Sequence, residues 1–464
     1  MILNDSKNQR QLKDALTALN TKVGTIVQKQ GFGKTRTGCL IIQGLYKFCP
    51  IIEPLDLIVI VHSQIVKKQW LKTLDSLNIK ATVVTIGEYQ NNKEDENGYV
   101  YQNSILTIFD EIHLYNSLER RLIIENCNST YKIGLTATYP KYSEFATYLN
   151  NVLPIISEIP EHEYVENNWN VKLKELCILV ELNPEERNGY EEFTAYIKET
   201  LQIFDNDYNQ IDKAIKGDKY VDDNGNIQFI EPYDYLQRFA AKNNWNKDLD
   251  LSIDYYAQLD SIYNPVNLFE RVKLYYEVVR KRLNIVYNCK EKIRATIEVL
   301  ELLTSYTTII FSESTEMCNT INKAINKHFN ENYCAAYHSK LETYIVTDEK
   351  GKEVKFGKTR QLNLILEKLA IGELRAVSTV KSFNTGVDIP ILKASIILSG
   401  TRNYTTNEQR NSRVTRLIDD CDTAYSINIV AKNTVDYTAY KQRNKNKQIY
   451  NISLNDFIEK FAKT

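Results

Sequence analysis

The run Gln30-Gly31-Phe32-Gly33-Lys34-Thr35 decides the fold, set between the apolar segment Gly24-Thr25-Ile26-Val27 and a helical stretch from Cys39 to Phe48. Glycines at 31 and 33 let the backbone curl until successive N–H groups face one centre. A helix starting there adds its positive end. Phosphate oxygens fit such a cradle. Lys34 would then reach the β and γ phosphates of a nucleotide, and Thr35 would hold Mg²⁺. Gly31, Gly33, Lys34 and Thr35 are the candidate nucleotide contacts. The usual pattern has a small residue six positions before the lysine, where this chain has Gln28. The alternative is a glycine-rich turn carrying a surface lysine.

Working outward, Leu57-Ile58-Val59-Ile60-Val61 and Ser104-Ile105-Leu106-Thr107-Ile108-Phe109 read as strands buried on both faces of a parallel sheet, with a helix over 64–77 between them. Asp110-Glu111-Ile112-His113 follows the second strand directly. Carboxylates at the carboxyl end of such a strand lie in the crevice where these sheets bind ligands. Asp110 would hold Mg²⁺ through its water shell, and Glu111 would orient or deprotonate an attacking water. In isolation the pair also reads as solvated acids at a strand end. The strand–helix texture returns from about 290 to 435, in segments such as Thr307–Phe311, Ala394–Leu398 and Tyr425–Val430. The expected class is α/β, with a first lobe over 1–180, a mostly helical insertion over 181–290 and a second lobe over 291–464. Hairpins are expected around Asp222–Asn226 and Thr347–Glu353.

The 464 residues suit two or three domains, and 43% hydrophobic with 25% charged residues is an ordinary globular balance. A net charge of −1 argues against a protein that simply coats nucleic acid, but not against one with a single basic cleft. Eight cysteines stand singly with no CxxC pair, so no zinc site is expected. No uncharged apolar run reaches the roughly 18 residues of a membrane span. An intracellular location follows by default.

In order, Gly-Phe-Gly-Lys-Thr, Asp-Glu-Ile-His and Gly134-Leu135-Thr136-Ala137-Thr138 resemble motifs I, II and III of superfamily 2 helicases. Tyr337-His338-Ser339, the stretch from Thr379 to Pro390 and the run from Gln409 to Arg416 resemble later motifs of the same family. The resemblance spans both α/β segments and implies two RecA-like lobes that bind ATP and Mg²⁺ between them. It implies nucleotide contacts at Gly386, Asp388 and Gln409, arginine fingers at Arg413 and Arg416, and coupling roles for His113, Thr136 and Thr138. Gln409, Arg413 and Arg416 also fall at helical spacing on one face, from which guanidinium groups could reach a γ-phosphate across a cleft. A solvent-facing basic helix is the other reading. Ser412 stands where the family prefers glycine, and Ile112 where its DEAH form has alanine. Gln9 or Gln11 would serve as the family's adenine-reading glutamine.

The resemblance also places nucleic acid across both lobes, with Ser63, Gln64, Thr85, Gly87, Ser312 and Thr379 as contacts that grip phosphates without reading bases. Trp70 reads as a core residue before a base-stacking platform. The expected activity is an ATP-dependent DNA helicase or translocase in replication, recombination or repair, similar to phage and bacterial repair or branch-migration helicases. RNA helicase, or an ATP-switched binding subunit that does not unwind, are the alternatives. The insertion is a candidate contact for a protein partner.

Overall fold

The computed structural model describes residues 5–48, 52–95, 98–99, 101–140, 143–221, 227–242, 264–347, 353–380, 391–400, 404–415, 423–445 and 450–461. In the first lobe, strands β1 (Val23–Val27), β2 (Leu57–Val61), β3 (Thr82–Thr85), β4 (Leu106–Asp110), β5 (Tyr131–Thr136) and β6 (Ile155–Glu158) form one sheet in the order β3-β2-β4-β5-β1-β6. Every neighbouring pair runs parallel. The uninterrupted apolar run of β2 has a direct cause. Leu57, Val59 and Val61 enter a core shared with Cys39, Ile41 and Trp70, while Ile58 and Ile60 enter another with Phe109, Tyr115 and Ile123. Both faces are covered, so neither half of the alternation can be polar. The helices bearing on the site are α1 (Asp5–Thr21), α2 (Lys34–Phe48), α3 (Gln64–Ser76) and α4 (Ile86–Asn91).

The second sheet contains β7 (Lys172–Val180), β8 (Thr308–Phe311), β9 (Cys334–Tyr337), β10 (Ala376–Thr379), β11 (Ala394–Ile397), β12 (Thr423–Ala431) and β13 (Tyr450–Ile452). Their order is β9-β10-β8-β11-β12-β7-β13. Pairing is parallel from β9 through to β12 and between β7 and β13. The fold is therefore α/β with two RecA-like sheets. One boundary needs correction. The sequence division at residue 180 leaves β7 in the first lobe, whereas its hydrogen-bonding partners lie in the second. Those partners are more than 200 residues distant in the chain, and nothing local to 172–180 announces them.

By compactness the chain divides into two units. One contains both sheets, over Met1–Leu179, Arg294–Val430 and Asp436–Thr464; the other is Val180–Ile293 with Ala431–Val435. The second unit has helices Pro184–Ile203, Tyr208–Lys216, Pro232–Lys242 and Pro265–Tyr287 around its own core, which includes Phe204, Ile211, Leu236, Phe239 and Val272. It also carries the antiparallel hairpin Asp218–Val221 with Ile227–Ile230, and a second hairpin in the larger unit pairs Tyr344–Thr347 with Glu353–Phe356. The hairpin tips, Gly386, Asp388, Arg416 and the side chain of Gln409 lie outside the described residues. Among those described, no helix is long and apolar enough to cross a membrane.

Candidate active site

The phosphate loop is held from both ends. Gly31 and Gly33 take φ of 85° and 102°, a region that favours glycine. A Cβ on Gly33 would lie 2.5 Å from Gln11 Nε2. Between the glycines, buried Phe32 inserts edge-on between Tyr164 and Trp169, with ring centroids 5.4 and 5.1 Å away. Gln11 Nε2 donates to the Phe32 carbonyl at 2.6 Å, and Lys7 Nζ donates to the Gly31 carbonyl at 3.1 Å. The other amide atom, Gln11 Oε1, is buried with no hydrogen-bond partner among the described residues.

Gln28, which departs from the usual loop pattern, is fully buried and structural. Its Nε2 donates to Asp14 Oδ2 at 2.7 Å, and its Oε1 accepts from Thr37 Oγ1 at 3.0 Å. Asp14 in turn accepts from Ser157 Oγ at 2.6 Å and pairs with Arg10. A long amide stands in place of a small residue because it ties α1, the loop and α2 together.

Lys34 opens α2, with Thr35 half-buried beside it, and its ammonium pairs with Glu111 Oε1. Asp110 and Glu111 emerge at the end of β4, between β2 and β5. Glu111 has a left-handed backbone, φ 52°, an uncommon conformation for a residue with a side chain and one that concentrates at functional sites. Burial alone would push its carboxyl up, but the Lys34 charge and His113 outweigh it and hold the group well below the usual carboxylate range. Asp110 moves the other way, pushed up to about 6 by burial and the neighbouring Glu111 charge. Its Oδ1 accepts from the Glu111 N–H at 3.1 Å and its Oδ2 from Trp70 Nε1 at 2.9 Å.

His113 Nδ1 lies 2.9 Å from Thr136 Oγ1 and 3.3 Å from Glu111 Oε2. Thr136 Oγ1 donates to the Thr138 carbonyl at 3.0 Å and accepts from the Thr138 N–H at 3.2 Å. Because the hydroxyl's one proton goes to that carbonyl, the imidazole is left as the donor. His113, Thr136 and Thr138 thus form a chain running from Glu111 along the end of β5.

The second lobe meets this site through the segment ending helix Tyr404–Asn411. Ser412 N–H bonds four residues back, but Arg413 and Val414 bond three residues back, so the chain tightens into a turn at 412–414. Arg413 projects from that turn, so the α-helix expected to carry it ends before it, at Asn411. Arg413 is 5% exposed. Burial lowers its pKa to about 10, opposed by the charge of Glu111. Next to it, Ser412 Oγ donates to Gln30 Oε1 of the phosphate loop at 2.6 Å. Gln30, Thr138, Glu408 and Ser412 line a cleft of about 510 Å³ between the lobes. Arg410, given no role from the sequence, is the buried anchor of this segment. It donates to Glu313 Oε1 at 2.7 Å and to the Ser399 carbonyl at 3.1 Å.

The candidate nucleic-acid contacts fall into two groups. Register pairs Val61 with Thr85, bringing Ser63 and Gln64 beside Thr85 and Gly87. Glu88 joins them, accepting from Gln64 Nε2 at 2.8 Å and Lys67 Nζ at 2.7 Å. A Cβ on exposed Gly87 would meet nothing within 4 Å, which leaves its backbone open to a ligand. Ser312 and Thr379 differ: both are buried, with Ser312 Oγ accepting from the Ser314 N–H and Thr379 Oγ1 donating to the Tyr337 carbonyl. The Thr379 proton is thus committed inside the lobe, whereas the Ser312 hydroxyl only accepts there.

Comparison with known proteins agrees with this fold. A family model described as "Type III restriction enzyme, res subunit" matches residues 3–101 and 75–141. The DNA 3'-5' translocase XPB2 of Sulfurisphaera tokodaii is 23% identical over 442 residues, covering 92% of this chain and 81% of its own. The Pyrococcus furiosus Hef helicase domain superposes with a TM-score of 0.50 at 15% identity, covering 95% of this chain and 99% of that one. Saccharomyces cerevisiae Dbp5 bound to RNA and ADP BeF3 gives 0.50 at 11%, with 95% and 88% covered. At such identities these two structures speak for the fold alone.

Proposed function

We propose that this chain, a superfamily 2 helicase or translocase that hydrolyses ATP, couples hydrolysis to movement along DNA. The reading is supported by the contact across the gap between the lobes: Gln30 of the phosphate loop bonds Ser412, whose neighbour Arg413 is buried within electrostatic reach of Glu111, the partner of Lys34.

The residues suit a magnesium nucleotide. The glycine cradle excludes side chains, Lys34 stands at its mouth, and Gln11 keeps a buried acceptor unpaired beside the loop, ready for an amino donor such as that of adenine. Thr35 and, through water, Asp110 would hold Mg²⁺, which when bound neutralises charge on the β and γ phosphates. Lys34 is paired with Glu111 in the structure, so an arriving triphosphate competes for that ammonium and frees the carboxylate. Glu111 then accepts a proton from, or orients, the attacking water. Arg413, within electrostatic reach of Glu111 from the other lobe, would stabilise charge as it develops. His113 passes any shift of Glu111 to Thr136 and Thr138. Ser63, Gln64, Thr85 and Gly87 hold the nucleic-acid backbone.

The test is ATP turnover with single-stranded DNA, duplex DNA, forked DNA and RNA side by side. Stimulation by one or more of the DNAs is the expected result. Turnover indifferent to every nucleic acid would overturn the reading, and stimulation by RNA alone would replace DNA with RNA.

A further inference from the structure

Trp70 is fully buried on α3, in the apolar core between that helix, α2 and the sheet, and hydrophobic burial alone would account for it. The core does not account for its indole N–H. That donor reaches forty residues along the chain to Asp110 Oδ2, 2.9 Å away, at the end of β4. With the Glu111 N–H on Oδ1, each carboxylate oxygen carries one donor from a rigid element. The plane of the group is thereby fixed, and about two of its roughly four lone-pair sites are left to face a ligand. A second observation points the same way. Gly38, one turn after Lys34 on α2, lies under the ring; a Cβ there would sit 2.4 Å from the indole Cη2 and 3.1 Å from Cζ3. The phosphate-loop helix is thus notched where the indole passes towards Asp110.

We infer that Trp70 is a positioning residue, whose N–H holds the Asp110 carboxylate in the orientation that receives the nucleotide's metal ion. The inference rests on the assignment of Asp110 to that metal. Partners that orient a metal-binding group typically alter metal affinity by about 10- to 100-fold when removed.

The experiment measures ADP affinity by titration calorimetry with and without Mg²⁺, so that no turnover is involved. The quantity read is the factor by which Mg²⁺ tightens ADP binding. Trp70→Phe keeps most of the ring packing and deletes the donor. Site-specific replacement of Trp70 by 3-benzothienylalanine, in which sulfur takes the place of N–H, keeps the ring shape should the phenylalanine variant fail to fold. Both are expected to reduce the Mg²⁺ factor about tenfold or more, with metal-free ADP affinity unchanged. A wild-type factor in the folded benzothienyl variant would overturn the inference and leave Trp70 a packing residue. Asp110→Asn separates the premise: if it too retains the wild-type factor, the metal assignment of Asp110 falls, and the inference with it.

Discussion

At the scale of single residues, the site places two adjacent carboxylates in opposite electrostatic states. Glu111 is kept ionised by Lys34 and His113 against its burial, while Asp110, without an ammonium partner of its own, is pushed up to about 6 by burial and by Glu111. This asymmetry holds Glu111 in the ionised form, while a cation beside Asp110 would draw that group back to its own ionised form. Glu111→Gln keeps the shape of the side chain and removes its basicity. It is expected to slow single-turnover hydrolysis by about 10²- to 10⁴-fold while ATP still binds. Filter binding of labelled ATP beside the rate measurement checks both halves. If binding disappears with the rate, Glu111 is needed to build the pocket instead. The place of this acidic pair was legible in the sequence because it sits at the end of a strand that could only be buried. Other residue-scale features were not legible. Trp70 could be read as core, but the partner of its N–H depends on how α3 lies across β4. Gln28 looked like a blemish in the loop because its partners, Asp14 and Thr37, are joined only by the fold.

At the scale of elements, periodicity performed well where an element is regular and failed where it changes. The apolar runs at 57–61 and 104–109 announce strands covered on both faces, and β2 and β4 occupy them with small shifts at the ends. Spacing of four and three between Gln409, Arg413 and Arg416 assumes an unbroken α-helix, whereas hydrogen bonding tightens after Asn411. That turn brings Ser412 onto Gln30. A hydroxyl in the position where the family prefers glycine can cross the gap, and glycine cannot. The Ser412–Gln30 bond therefore helps set Arg413, its immediate neighbour. Ser412→Ala and Gln30→Ala are each expected to slow ATP turnover, and their effects should be non-additive by roughly 0.5–3 kcal/mol of activation free energy, as for residues in direct contact. A double-mutant cycle on kcat measures this. Strict additivity would show that the two side chains act independently.

At the scale of the whole molecule, the chain separates a catalytic unit made of both sheets from a unit with its own apolar core, inserted between β7 and β8. Texture alone pointed to an insertion, since strand-like runs give way to helical spacing near 185 and return near 290. The membership of β7 was hidden because strand pairing is a long-range choice. On the proposed reading, two lobes joined around one triphosphate would make ATP a removable bridge, whose arrival draws a lysine and an arginine to one charge and whose hydrolysis releases them. The most direct test of that account is Arg413→Ala, assayed for ATP turnover and ATP affinity in the presence of DNA. Loss of kcat by about 10³- to 10⁵-fold with affinity little changed is expected of a finger that acts as charge develops. An unchanged rate would contradict the composite pocket.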